Sequence, residues 1–387
     1  MKKCTKILLI VAAVCILLGA AMMAAAWHSL VDMESGEIAT MQFEETTHTI
    51  AEDFDDIIIN TQNSRIEILP SSNGTCRVVC DDNEKLFHQV SFQKSDNGTV
   101  LYVAQHNEWE WYETLGGLHW QEDPVLTLYL PKSEYEVVDV ITGSGDITIA
   151  PDFRFRTLST NAVSGNTKLA ALSAENLQVR STSGDISVRS VQVKDDTYLQ
   201  NISGFTRAEN IITSQMTTYA SSGDTALEYI SSDYLGSESV SGNIRVYNSS
   251  FRDTSSFESS SGQVEIVDSI CGEQTVQTVS GSVTMQNVNG DNLTVSTSSG
   301  TVTLLEALYS SNVLCNTVSG EIMFTGLDTE NMDLITSSGD VSGNLLSSKN
   351  FITETSSGYV DVPPSDESAG TCHIHTISGN ISIAVES

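Results

Sequence analysis

NLTVSTSSGTVTL, residues 292–304, contains the plan of most of the chain. Leu293 and Val295 alternate with polar residues, the small Thr297 follows on the same face, Ser299-Gly300 marks a corner, and Val302 and Leu304 alternate again. A period of two is that of a strand with one buried face. The same figure recurs as NLQVRSTSGDISV (176–188) and as DLITSSGDV (333–341). Thirteen such glycines, from Gly145 and Gly165 through Gly184, Gly204 and Gly223 to Gly358 and Gly379, stand 19 to 21 residues apart. A unit this short cannot bury its apolar face alone, whereas stacked copies share a continuous core. The reading is an all-β, single-chain parallel β-solenoid of about 19–20-residue coils. The glycine is expected to supply positive φ at the corner, and the serine beside it to hydrogen-bond the turned backbone.

A second pattern lies over the first. Two positions before the glycine, Val163, Thr182, Ile202, Ser221, Val240, Ser260, Val279, Ser298, Val318 and Ser337 alternate between apolar and hydroxylated; the order breaks at Ser356 and resumes at Ile377. Either neighbouring 20-residue coils differ at one corner, or one turn takes about 39 residues with two unlike sides. The shorter coil is preferred.

Outward from the repeat, residues 141–387 are regular, and 46–140 form a β-rich part that begins the solenoid and caps it. Within it Asn63-Ser64-Arg65 stands where Ser-Gly-Asp would. The excursion 105–124 holds Trp109, Trp111, Tyr112 and Trp120 among carboxylates. It reads as a plug over the solenoid end or, alternatively, as a binding surface. The last strand, ISIAVES, is expected to leave an open edge for self-association or another partner.

Residues 1–6 are a basic tail, 7–26 an uncharged apolar stretch long enough to span a bilayer, and 27–45 a polar stalk. The positive flank stays inside, which places the body outside the cell membrane, single-pass. A cleaved signal peptide ending at Ala24-Ala25-Ala26 is the competing reading and makes the protein secreted. The net charge of -32 excludes nucleic acid as a partner and doubles as a solubility device.

No nucleophile elbow, phosphate loop or H-E-x-x-H occurs, and no cofactor or metal is expected. Cys76 and Cys80 on one strand stand about 13 Å apart, too far for a disulfide. His373 and His375 face solvent and make at best a weak two-ligand site. Asp146, Asp185, Asp224 and Asp340 follow corner glycines, but other coils carry unlike residues there, so they read as solvated turn residues. Even spacing leaves no coil room for the loops that wall a carbohydrate-active cleft, and no catalytic residue is assigned.

The repeats ITGSGDITI, STSGDISV and TSSGDV resemble a bacterial adhesin-type family of unknown function, the toast-rack β-strand-repeat family, over about Ile57 to Ile383. The resemblance implies a β-helix outside a bacterial membrane, tethered by one N-terminal helix and linked to envelope-stress sensing or surface attachment. It transfers no catalytic residue. The Trp-rich excursion departs from the family pattern.

Overall fold

A computed structural model of the chain describes residues 43–95, 98–108 and 123–386. The tail, the apolar segment 7–26 and nearly all of the stalk lie outside these residues. No helix among the described residues is long and apolar enough to cross a membrane.

Strands wind in one direction, and each pairs in parallel with the strand one coil away. Leu158 stands beside Leu177, and Leu177 beside Thr197. On the second side of the coil, Thr167 lies between Ile147 and Ile186. One turn therefore takes 19 to 21 residues, and the 39-residue turn is excluded. Inward positions make the core: Val179, Val188, Leu199, Leu227, Val246, Ile266, Val295 and Leu304 are all buried completely. Each such side chain contributes about 1.5–3 kcal/mol when taken from water.

The corner glycines are needed for a reason other than the expected one. None of the thirteen lies at positive φ. A Cβ on Gly242 would instead collide with the carbonyl oxygen of Gly223, and the same clash repeats up the column from Gly145, above Ser64, onward. The glycines let one corner sit directly on the next. The capping group also differs from the expected neighbouring serine. It is the buried residue three places earlier: Thr297 Oγ1 accepts the Gly300 N–H at 3.0 Å, and Thr317, Thr336 and Thr376 serve Gly320, Gly339 and Gly379 alike.

Positive φ belongs to the opposite corner. Asp152, Ala171, Ser190, Asn210, Tyr229, Asn248, Asp268, Asn287 and Glu306, all with φ between 50° and 70°, form one column that ends in Gly326 at 65°. Asn and Asp recur there because they tolerate the left-handed region best among residues with a side chain.

Both ends of the stack depart from chain order. Strand Asp56–Thr61 lies between Gly98–Asn107 and Glu134–Thr142, so the first coil of the chain is second in space. Antiparallel strands close that end: Cys76–Asp82 against Val125–Leu130, Leu86–Ser95 against Gly98–Asn107, and Glu44–Ile50 outermost against Cys76–Asp82. At the other end, Thr371–Thr376 lies between Asn331–Ile335 and Asn350–Thr355, and Ile381–Val385 between Val341–Leu345 and Val360–Asp361. The final strand is therefore interior, contrary to the expected open edge at ISIAVES. The exposed edge belongs to 350–361. Part of it is covered from within, since Ser365 Oγ meets both the N–H and the carbonyl of Phe351 at 3.0 and 3.3 Å.

Candidate functional site

Trp109, Trp111, Tyr112 and Trp120 lie outside the described residues. Their flanks adjoin strands one level beyond that at which the glycine column ends. Ser64 occupies the last corner of that column, beneath Gly145. The level beyond it has no glycine corner, so position 64 can carry a side chain that points outward along the column.

That side chain enters a buried polar cluster. Ser64 Oγ lies 2.8 Å from His88 Nε2 and 3.1 Å from Gln105 Oε1. His88 Nδ1 lies 2.7 Å from Asp82 Oδ1, which also accepts the His88 backbone N–H at 3.1 Å. Gln105 Oε1 accepts the N–H groups of Gln62 and Asn63 at 2.8 and 3.2 Å, replacing the corner carbonyls that a regular coil would offer. With a proton on Nδ1 for Asp82, Nε2 must accept from Ser64. The order Ser–His–Asp is that of a hydrolase relay, but Ser64 is wholly buried and His88 nearly so, and no substrate carbon can reach Oγ. Sequence reading missed this cluster. The available signal was His88 itself, on the inward face of LFHQVSF with Leu86 and Phe92.

The other expected sites resolve into staples. His373 pairs with Asp333 at 2.9 Å in the coil on one side and His375 with Glu354 at 3.3 Å in the coil on the other, so the two rings serve different neighbours. Cys372 and Ile374 point inward, as the alternation requires. Asp146 accepts the backbone N–H of Asn166, Asn166 Oδ1 that of Asp185, and Asp185 that of Phe205, each at 2.8 Å. These post-glycine residues are thus inter-coil clamps as well as turn residues, and Asp185 and Asp340 remain exposed. Burial pushes the Asp224 carboxyl up, but the Asn243 N–H and Arg245 outweigh it and hold the group below its ordinary value.

The five described cysteines are buried and unpaired. Burial pushes the Cys76, Cys315 and Cys372 thiols up to about 12, so none is a ready nucleophile. On the outside, an open cleft of about 730 Å³ is bordered by Lys132, Arg154 and Arg156. These cations pair with Asp55, Glu134 and Glu136 at 3.0–3.4 Å and leave little free charge. Val163, Ile202, Val240, Val279, Val318 and Ile377 make an apolar row on alternate coils, all about half exposed except the less exposed Ile202. Its step is about 9.6 Å, twice the strand spacing.

The sequence profile of Toastrack DUF4097 matches residues 54–269 and again 268–387, together nearly all of the described solenoid. The chain belongs to the Toastrack DUF4097 family. No curated protein matches it. Among solved structures, a candidate adhesin from Parabacteroides merdae is 12% identical with a TM-score of 0.40, over 67% of this chain and 95% of the other. A candidate cell adhesion protein from Clostridium sporogenes is 9% identical with a TM-score of 0.18, over 89% of this chain and all of the other. The toast-rack assignment itself rests on the profile match and on the observed winding.

Proposed function

We propose that this toast-rack protein is a non-catalytic binding or scaffolding rod, held at the outer face of a cell membrane by residues 7–26 and engaging an envelope or membrane protein. The observation that carries this reading is the unbroken winding. From Glu134 to Leu345 the described coils follow one another without a loop long enough to wall a substrate cleft. What the rod offers instead is flat ladder faces and an apolar row at alternate corners. A coupling role in envelope-stress sensing agrees with the family resemblance and with a single span whose basic flank faces the cytoplasm.

The test is photo-crosslinking in intact cells from positions 240 and 279, combined with protease digestion from outside. Adducts to a membrane or envelope protein, with the body open to external protease, are the expected result. Turnover of an envelope polysaccharide by the purified chain, or a body shielded in the cytoplasm, overturns it. Surface adhesion is the second reading, favoured by the exposed apolar row. It predicts antibody access on whole cells and adducts to molecules of a neighbouring cell instead.

A further inference from the structure

We propose that Cys80, Asp82 and His88 form a binding site for a zinc-type divalent cation at the capped end of the solenoid. Cys80 Sγ, a carboxylate oxygen of Asp82 and a ring nitrogen of His88 all lie within 4.8 Å of one another. Local structure brings them together. Cys80 and Asp82 are two apart on strand Cys76–Asp82, and a short turn whose Asn83 side chain accepts the Lys85 and Leu86 N–H groups returns the chain to His88. Thiolate, imidazole and carboxylate make a borderline-soft donor set that suits zinc or cobalt(II), with a fourth position left open.

The hydrogen bonds around His88 supply an independent argument. Without a cation, the Nδ1 proton serves Asp82 and Nε2 must accept, so the single Ser64 proton goes to Nε2. The 3.1 Å approach of Ser64 Oγ to Gln105 Oε1 is then unused. With Nδ1 bound to a cation, Nε2 carries the proton and donates to Ser64 Oγ, and Ser64 donates in turn to Gln105. Both contacts of Ser64 are then made, while the cation takes the place of the proton that Nδ1 shares with Asp82. Orientation of a metal-bound histidine through its second nitrogen is the usual outer-shell arrangement. A second proton on the ring would complete the same chain of bonds, and the experiment separates the two.

Charge acts in the same direction. The Asp81 and Asp82 carboxylates follow Cys80 on the same strand. Negative charge of this kind attracts a cation, and a cation that binds the sulfur expels the thiol proton. The site would fasten the closing hairpin to the last corner of the glycine column.

The test is a cobalt(II) titration of the purified full-length chain, read by thiolate-to-cobalt charge-transfer absorption. The expected result is a band that saturates near one equivalent, with proton release, and that zinc bleaches. Ser64→Ala, outside the coordinating set, should weaken binding about tenfold while keeping the band. Cys80→Ser should abolish the band, and Cys315→Ala should leave it. A wild-type chain that shows no band overturns the proposal whatever the variants do, and so does a band that survives Cys80→Ser. If Cys80→Ser does not fold, His88→Gln decides, because a band of unchanged strength there also overturns it.

Discussion

Asp340 accepts the backbone N–H of Asn380, forty residues further along the chain, at 2.7 Å. Asn380 in turn accepts the N–H of Tyr359, which precedes it. The clamp that joins successive coils elsewhere therefore runs 340, 380, 359. The final coil is threaded between the two before it. Read in that order, the residues two before the glycine run Ser337, Ile377, Ser356, and the alternation that breaks in the sequence is unbroken in space. A cysteine pair at positions 342 and 382, direct register partners, should form a disulfide on mild oxidation. If the last coil sat outermost, that pair would be two levels apart and would not close; a mass-mapped bridge decides between the two.

The threading shows how much of the fold was legible. Alternation, corner glycines and coil length were readable because each repeats in a fixed frame that sequence displays directly. Order along the rod was not, because adjacency in space is set by which corner chemistry matches, and Ser356 gave that as an irregularity without a cause. The reason for the glycines was also hidden. Positive φ and close stacking both demand the absence of a Cβ, and only the neighbouring carbonyl distinguishes them. The cluster at Ser64 was missed because Asp82, His88 and Gln105 meet through local turns and pairing, and only the inverted coil order sets Ser64 against them.

Two kinds of glycine should behave differently. Gly242→Ala forces its Cβ into the Gly223 carbonyl, so the stack must part, at a cost of about 3 kcal/mol. Gly326→Ala meets nothing closer than the Glu306 Cα at 3.6 Å and pays only for its left-handed backbone, about 1 kcal/mol. Conversely Ala171→Gly, at a φ of 50°, should gain about 0.5–1 kcal/mol. Denaturant midpoints at fixed slope test all three. Equal losses at Gly242 and Gly326 would refute the stacking account.

The buried hydroxyl before each corner makes a separate prediction. Thr317 is nearly fully buried, and its Oγ1 accepts the Gly320 N–H at 3.0 Å. Thr317→Val keeps the shape but leaves that N–H without a partner, which costs about 1–3 kcal/mol. Thr317→Ser keeps the acceptor and should lose less than the valine variant. Faster hydrogen exchange at Gly320 in the valine variant alone would locate the effect at the cap.

Lys349 stands where the chain climbs past the slot that the last coil fills. Its ammonium, almost wholly buried, donates to Thr329 O at 2.5 Å and to Ser347 Oγ at 2.8 Å, and meets Asp328 Oδ1 at 3.2 Å. Its carbonyl receives the N–H of Asp366 from the returning loop. Partial burial pushes the Asp328 carboxyl up, but hydrogen bonds from Ser347 and Lys349 and the lysine charge prevail, and the group sits below its ordinary value. A carboxyl whose folded pKa is lowered binds its proton more readily in the unfolded chain. Its contribution is complete above the ordinary carboxyl value near 4 and disappears as pH falls through the lower folded value. Asp328→Asn should remove that acid-limb slope, and at neutral pH should cost about 2 kcal/mol because a buried ammonium loses its counter-charge beside a half-solvated partner. Adding Lys349→Met to that variant should recover part of the loss. Unfolding titrations between pH 2 and pH 7 on the three variants test the pair. A double variant less stable than Asp328→Asn would mean that the lysine stem, and not its charge, holds the end of the rod together.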